Sequence, residues 1–236
     1  MKKLIAISCL FVLSSCAELQ GVIGGLPGQD GMDSETIASG LRQALDFGIE
    51  KQVTRLTEED GFYQNELVKI LLPAELQKVD KTLRAVGLGS LADEGIKQLN
   101  RAAEDAVKEA TPIFVEAVKG ITFTDARTIL LGNDRAATSY LEARTEDALY
   151  QKFNPVIQNS FAKVGADQIW NNLITRYNEL PLTNDVNPDL TDYVTREALE
   201  GVFTMIAVEE QQIRNQVSAR TTDLLRRVFA LQDRRL

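Results

Sequence analysis

Apolar residues recur every three or four positions from Ser34 onwards, which is the spacing of one face of an α-helix. Polar residues fill the positions between them, so the first helix should bury one face and expose the other. Ser34 is a plausible N-cap for this helix, and Asp60-Gly61 interrupts the pattern. The apolar stripe consists of Ile37, Leu41, Leu45, Ile49, Val53 and Leu56.

The next segment, residues 62–72, has no clear period, and its apolar residues fit either a short buried helix or an extended chain. Pro73 suits the first turn of a helix that should run to about Val86. An alanine-rich stripe follows from Leu99, and its small side chains allow neighbouring helices to approach closely. Pro112 should kink this helix or split it in two.

Turn and cap residues divide the second half of the chain. The sequence Thr122-Phe123-Thr124-Asp125 can cap a short helix. A turn at 132–134 precedes a long helix that should begin at Arg135, restart at Pro155 and end at Gly165.

The C-terminal part predicts three more helices. The first should span 167–180, and after a loop at 181–190 the last two should span 192–216 and 218–232. Since no stretch of the chain alternates between apolar and polar residues, we predict an all-α fold. The helix lengths vary widely, which favours a single irregular or orthogonal bundle of about eight to ten helices over an up-and-down bundle.

The N-terminus is typical of a bacterial lipoprotein precursor. Lys2 and Lys3 precede an apolar stretch at 4–13, which would span only about 15 Å as a helix and is too short to cross a bilayer. Leu13-Ser14-Ser15-Cys16 resembles the lipobox, in which the cysteine takes a diacylglycerol and becomes the new N-terminus. We therefore expect a signal peptide at 1–15 and lipidation at Cys16; the alternative is an ordinary secretory signal.

A flexible tether should link the lipid to the folded domain. Residues 16–33 are rich in glycine, and the domain itself should occupy 34–236. Ala17 follows the lipidated cysteine, where an aspartate would favour retention in the inner membrane. We therefore expect an outer-membrane lipid anchor that faces the periplasm of the cell envelope.

The charge of the chain argues against polyanionic partners. Removal of Lys2 and Lys3 with the signal peptide changes the formal net charge from −8 to −10. Nucleic acids and anionic lipid surfaces would be repelled by such a domain. The expected partners are the membrane, through the N-terminal lipid, and an envelope protein or a small apolar ligand.

The composition also restricts the possible chemistry. The chain has no histidine, which removes His-dependent nucleophilic sites and His-ligated zinc. Cys9 leaves with the signal peptide and Cys16 is lipidated, so only carboxylate, lysine or tyrosine chemistry remains. Asp185-x-Asn187-x-Asp189 is similar to half of a calcium loop, but Leu190 and Arg196 replace the required glycine and glutamate. We predict no metal.

One glycine motif is typical of cofactor loops but lies in the wrong context. Residues 87–92 fit the pattern Gly-x-Gly-x-x-Ala of a dinucleotide-binding loop. That loop must follow a β-strand, whereas a helical pattern precedes this one. We predict no cofactor, and we interpret Gly87 as a helix C-cap and Ser90 as the N-cap of the next helix.

The first candidate site is the trio Asn100, Arg101 and Glu104, at the rim of the alanine-rich stripe. These side chains could line a groove. The alternative is that they form the pairs at i,i+3 and i,i+4 that support the surface of many helices, Glu104 with Lys108 among them.

The second candidate site is Glu209, Glu210 and Arg214 on one helix with Arg220 on the next. Carboxylates on a mostly apolar helix must be solvated or paired, which favours an interhelical ion-pair network. The same two carboxylates are the best acid/base pair that the chain offers an enzyme. Adjacent residues on a helix point about 100° apart, however, so they cannot easily converge on one substrate.

A third candidate is a set of aromatic residues that could form the wall of an apolar ligand cavity between helices. Ordinary core packing is the alternative for all of them. The wall would consist of Tyr140, Phe153, Trp170, Tyr177 and Tyr193.

Several short blocks, in order along about residues 34–229, together resemble the bacterial domain-of-unknown-function family 4197. They include Leu99 to Glu104, Thr111 to Phe114, Ala136 to Tyr140, Ile206 to Glu210 and Ala219 to Thr222. The resemblance implies a helical envelope protein, and it carries no known activity, ligand or catalytic residue.

From these observations we expect a non-enzymatic interaction or structural module of the cell envelope. The first alternative is a protein that binds an apolar or amphipathic ligand between its helices. The second is an enzyme that depends on carboxylates.

Overall fold

The computed structural model of the chain describes residues 33–77, 81, 84, 85, 87, 89–166 and 189–233. The expected signal peptide, the lipidation site at Cys16 and the helix predicted at 167–180 lie outside these residues. Among the described helices, none is both long enough and apolar enough to cross a bilayer.

The all-α prediction is confirmed, because the described ranges contain seven α-helices and no strand. The eight to ten helices expected for the whole chain include the helix at 167–180, which these ranges do not cover. Two short 3₁₀ helices lie at Ala74–Leu76 and Val217–Ala219. The α-helices are α1 (Ser34–Thr57), α2 (Gly89–Val107), α3 (Ala110–Lys119), α4 (Phe123–Leu130), α5 (Ala136–Val164), α6 (Leu190–Asn215) and α7 (Asp223–Asp233).

The helices form an irregular bundle around α1. This helix packs against α2, α3, α4, α6 and α7, while α5 covers the other side of α6 and also contacts α2, α3 and α4. An up-and-down bundle would give each helix fewer neighbours. The core between the layers is filled by aliphatic and aromatic side chains, and the rings of Phe114 and Phe203 meet edge to face at a centroid distance of 6.0 Å.

The first helix begins as its sequence pattern predicts, except at its cap. The side chain of Asp33, and not that of Ser34, accepts the N–H of Thr36 at 2.6 Å. The helix therefore starts one residue earlier than a cap at Ser34 would allow. The carboxylate of Asp33 is also the better cap electrostatically, because it faces the positive end of the helix dipole.

The segment after α1 is an irregular chain that crosses the core, not a helix. Phe62 and Ile70 are almost completely buried, whereas Leu67 and Leu71 between and beside them are more than half exposed. Pro73 precedes the 3₁₀ helix at Ala74–Leu76, and the helix predicted from Pro73 to about Val86 lies partly outside the described residues, of which Gln77, Lys81, Arg84 and Ala85 are helical. The segment is held by side chains from α2, as the buried polar contacts below show.

Two predicted helix boundaries near α2 have different outcomes. The break at residues 108–109 separates α2 from α3, so the prediction that Pro112 splits the alanine-rich helix is confirmed. Pro112 lies in the first turn of α3, where it needs no N–H partner. The prediction of an N-cap at Ser90 is wrong, because α2 already begins at Gly89, after Gly87 turns the chain with a φ of +83°.

The predicted capping box of α4 is confirmed, since Thr122 accepts the N–H of Asp125 and the Asp125 carboxylate accepts the N–H of Thr122.

The predicted restart at Pro155 is wrong, because α5 is continuous and contains this proline. The carbonyl that loses its partner there belongs to exposed Gln151, so water can replace the lost bond. Gly165 ends α5 with a φ of +68°, as predicted.

The last two helices begin at other residues than their sequence pattern suggests. Asp189 caps α6 by accepting the N–H of Asp192, so α6 begins at Leu190, and it ends at Asn215. The expected start of α7 at Ser218 is wrong, because residues 217–219 form a 3₁₀ turn and α7 begins at Asp223. This turn places Arg220 beside the C-terminal end of α6.

Candidate functional site

Glu210 lies on α6 with 8% of its surface exposed, and its carboxylate caps a different helix. Oε1 accepts the backbone N–H of Ala137 at 2.9 Å, and Oε2 accepts the backbone N–H and the hydroxyl of Thr138 at 2.8 and 2.7 Å. These groups belong to the first turn of α5, which has no capping side chain of its own. Glu210 therefore replaces a local N-cap and places its charge at the positive end of the α5 dipole.

Arg214 completes this arrangement from one turn further along α6. Its guanidinium pairs with Glu210 at 2.8 Å and donates to the carbonyls of Ile129 and Leu130 at 2.8 and 3.0 Å. Those carbonyls close the C-terminal end of α4, where a cation is favoured. One buried ion pair thus neutralises both helix ends at the α4–α5 turn, with a further hydrogen bond to Gln232 of α7.

Arg220 caps the C-terminal end of α6 in the same manner. It is 2% exposed and donates to the carbonyls of Ile213 and Arg214, each within 2.9 Å. Its guanidinium also holds both carboxylate oxygens of Asp233 on α7, at 2.6 and 2.9 Å. The hydrogen bond to Arg220 lowers the pKa of Asp233. The ion pair between Arg220 and Asp233 links α7 to the C-terminal end of α6.

Glu209 points away from Glu210, as the turn of about 100° per residue requires, and contacts α1. Its carboxylate accepts Nζ of Lys51 at 2.7 and 2.9 Å and Nε2 of Gln52 at 2.7 Å. The other amide atom of buried Gln52, Oε1, has no hydrogen-bond partner. A cavity of about 20 Å³ lies beside Glu209 and Glu210, which is room for about one water molecule.

Asn100 is fully buried and acts on the irregular segment after α1. Its Oδ1 accepts the N–H of Ile70 at 2.8 Å, and its Nδ2 donates to the carbonyl of Ile70 at 2.8 Å. A second bond from Nδ2 goes to the carbonyl of Ile96, one turn earlier in α2. The side chain thus satisfies both backbone groups of a buried residue that belongs to no helix or sheet.

Arg101 and Glu104 hold the beginning of the same segment. Glu104, 4% exposed, accepts the N–H of Phe62 at 3.2 Å and pairs with Arg101 at 2.7 Å. Arg101 also pairs with Glu59 and Asp60 at 2.7 and 2.8 Å. Glu104 does not pair with Lys108, whose partner is Asp105. Asn100, Arg101 and Glu104 therefore all contact the irregular segment after α1 and the end of the turn that leads into it.

Three of the aromatic residues proposed for a ligand wall lie in the described part of the chain, and each has a different environment. Phe153 is completely buried in the core, and Tyr193 donates its hydroxyl to the carbonyl of Leu71 at 2.9 Å. The hydroxyl of Tyr140 is buried without a partner, and burial raises its pKa. Trp170 and Tyr177 lie outside the described residues.

The structure has an open groove between α3 and α5 that the sequence analysis did not predict. The groove has a volume of about 630 Å³. It is lined by apolar side chains that are partly or fully exposed, Pro112, Ile113, Ala117 and Ala148, and by the buried Thr145. We call this feature the α3–α5 groove.

The two walls of the α3–α5 groove carry opposite charges. Glu109 and Glu116 lie on the α3 side, and Arg144 and Lys152 lie on the α5 side. All four side chains are exposed, and within the described ranges none of them forms an ion pair. Arg144 stacks over the ring of Tyr140 at 4.9 Å. The groove thus presents two acidic and two basic side chains without ion pairs, of which Arg144 also interacts electrostatically with Asp125.

Among the described residues, no group of three or more histidine, cysteine or acidic side chains is arranged to hold a metal ion. The carboxylates of Glu209 and Glu210 bind different helices, and the cavity of about 20 Å³ that both line has room for about one water molecule and not for a substrate.

Comparison with known proteins gives one match. The model of the family described as "Protein of unknown function (DUF4197)" matches residues 31–230, which is most of the chain. No curated protein and no solved structure matches it.

Proposed function

The chain belongs to the DUF4197 family of proteins of unknown function, and from that premise we propose that it is a non-enzymatic interaction module of the cell envelope. A lipid on Cys16 would hold it to the outer membrane, and the flexible segment at 16–33 would let the domain stand off in the periplasm. The charged start, the short apolar stretch and the Ser14-Ser15-Cys16 sequence support this location.

The observation that carries the proposal is the contrast between two classes of charged side chains. The buried ones, such as Glu210 and Arg214, are saturated by helix ends of the same chain. Their hydrogen bonds leave little capacity for a substrate. Four of the exposed charges that form no ion pair instead line the open α3–α5 groove, where another macromolecule can reach them.

The alternative of an apolar ligand between the helices has less support. Ligand pockets generally measure about 300–1,000 Å³, whereas the cavity between α1 and α6 measures about 20 Å³. The α3–α5 groove is large enough but is open and lined by four charged side chains. These features favour a protein surface over a lipid.

The anchor is tested by metabolic labelling with an alkyne fatty acid in the bacterium that makes the protein. We expect the wild-type chain to be labelled and to sediment with outer membranes. The Cys16→Ser variant should be unlabelled and soluble in the periplasm. An unlabelled wild-type chain would contradict the proposed location.

The interaction is tested by native mass spectrometry of the chain extracted from its own membrane, followed by chemical crosslinking. We expect a reproducible crosslink to one envelope protein, which the Cys16→Ser variant should form much less. Stoichiometric co-purified lipid other than the anchor, without a protein crosslink, would favour the apolar-ligand alternative.

A further inference from the structure

The α3–α5 groove has the shape and charge pattern of a receptor for a helix. Two neighbouring helices, α3 and α5, form its sides, and apolar side chains such as Ile113 and Ala148 lie between the charged residues of each side. A third helix can pack into such a groove with its apolar stripe down and its polar edges against the two walls. Each wall then faces one edge of the incoming helix.

We propose that the α3–α5 groove binds an amphipathic helix of a partner protein that carries basic residues along one edge and acidic residues along the other. The basic edge would face Glu109 and Glu116, and the acidic edge would face Arg144 and Lys152. This inference rests on the proposed function and specifies the chemistry of the partner.

The spacing of the charges supports a helical occupant. Glu109 directly precedes α3 and lies seven residues before Glu116, and Arg144 and Lys152 are eight residues apart on α5, so each pair is separated by about 10–12 Å at the helical rise of 1.5 Å per residue. A partner helix repeats the same edge every seven residues, which is about the same distance. Two consecutive heptads can therefore place charges opposite both members of each wall.

Walls of opposite sign also exclude the simplest alternatives. A purely basic or purely acidic peptide would be attracted by one wall and repelled by the other, and a neutral acyl chain would leave all four charges without partners. A net-neutral helix with two oppositely charged edges satisfies both walls. Such a helix can bind with its axis in either of two opposite directions. It can therefore match both walls whichever of its two edges is the basic one.

The test uses synthetic helical peptides of about three heptads that share one apolar stripe. One peptide has lysine along one edge and glutamate along the other, the second has lysine on both edges, and the third has glutamate on both. Binding to the purified full-length mature protein in detergent is measured by fluorescence anisotropy. We expect the mixed peptide to bind about tenfold more tightly than either single-sign peptide.

Reversal of one wall should change the preference. In the Arg144→Glu/Lys152→Glu variant both walls are acidic, so the all-lysine peptide should become the best ligand. In the Glu109→Lys/Glu116→Lys variant both walls are basic, so the all-glutamate peptide should become the best ligand. The matched control is Lys163→Glu/Arg227→Glu, which changes the net charge equally at exposed positions outside the groove. It should keep the preference of the wild-type chain.

Several results would overturn the proposal. These are the absence of a preference for the mixed peptide, the same change of preference in the control variant, and a homodimer in native mass spectra that dissociates on wall reversal. The last result would assign the groove to a second copy of the chain. If the peptides fail while the chain still crosslinks to an envelope protein through another face, the groove assignment falls and the proposed function stands.

Discussion

At the residue scale, the buried charges of this protein act as caps for helices far away in the sequence. Glu210 serves the first turn of α5, and Arg214 serves the last turn of α4. An isolated buried ion pair rarely stabilises a fold, because the desolvation of both charges offsets their attraction. Here each partner also satisfies backbone groups that the helices leave unpaired, which compensates part of that cost.

Replacement of Glu210 by glutamine should therefore be strongly destabilising. The variant keeps the shape of the side chain but leaves Arg214 buried without a counter-charge and turns an amide N–H₂ toward backbone donors. We expect the free energy of unfolding to fall by about 3–5 kcal/mol in urea titrations.

Asp105→Asn, which breaks the exposed pair with Lys108, is the control and should cost less than about 1 kcal/mol. Equal losses in the two variants would mean that the buried pair has no special role.

The link between Arg220 and Asp233 should make stability depend on pH. Since its pKa is lowered from 3.8, Asp233 stabilises the folded state above that pH, and this contribution is lost as the pH falls through the lower, folded-state pKa. The difference in unfolding free energy between the wild-type chain and Asp233→Asn should be largest near neutral pH and vanish in strong acid.

Urea titrations across the acid range measure this difference. Asp147→Asn, at an exposed position on α5, should show no such trend. A difference between wild type and Asp233→Asn that stays constant with pH would refute the assignment.

Sequence reasoning could identify these side chains but not their partners. A carboxylate such as Glu210 on an apolar helix must be paired, and that requirement is visible in the sequence. Its backbone partners at Ala137 and Thr138 lie more than 70 positions away, and only the packing of α6 against α5 brings them close. The hydrophobic period contains no information about such distant contacts.

At the element scale, the most informative segment is the irregular chain at 61–72. It belongs to no helix, yet Phe62, Val68 and Ile70 are buried in it. It can lie there because α6 has a glycine, Gly201, at the contact. A Cβ at Gly201 would stand 2.7 Å from Cε1 of Phe62 and 3.3 Å from Cβ of Val68.

Gly201→Ala should consequently destabilise the protein by about 1–3 kcal/mol, because the added methyl group forces the segment out of its packing. Gly95→Ala is the matched variant, since Gly95 is also inside a helix but has no atom within 4 Å of its would-be Cβ. It should stabilise the protein by about 0.5–1 kcal/mol.

Thermal or urea unfolding of both variants measures the two effects. Stabilisation by both substitutions would show that the segment is not packed against α6 as described.

Whether a helix or segment could be predicted depends on how far along the chain the residues that determine its conformation lie. The period of 3.6 and the local caps, such as the Thr122–Asp125 box, are encoded within a few residues, so most helices were predicted correctly. The segment 61–72 could not be resolved between helix and extended chain, because its conformation is set by Asn100 and Glu104 on α2. Pro155 misled the prediction because α5 continues through it, at a place where the carbonyl freed at exposed Gln151 can be solvated.

At the scale of the whole molecule, the buried polar groups hold the bundle together and the α3–α5 groove remains available to other molecules. The groove is formed by residues from two helices whose pairing the sequence does not reveal. Once the fold is known, the charged pairs at 109 and 116 and at 144 and 152 become interpretable as two walls. The proposed lipid at Cys16 would keep this surface near the membrane and its partners.

Photo-crosslinking in the living cell tests the central claim most directly. Benzoylphenylalanine is placed at Ala148 in the lining of the groove, or at Asp147 as an exposed control outside the groove lining, and the adducts are mapped by tandem mass spectrometry. We predict an adduct only from position 148, to a segment with an apolar stripe between basic and acidic edges. Arg144→Glu/Lys152→Glu should abolish it. Adducts to lipid or to a second copy of the chain, or equal yields from both positions, would contradict the account.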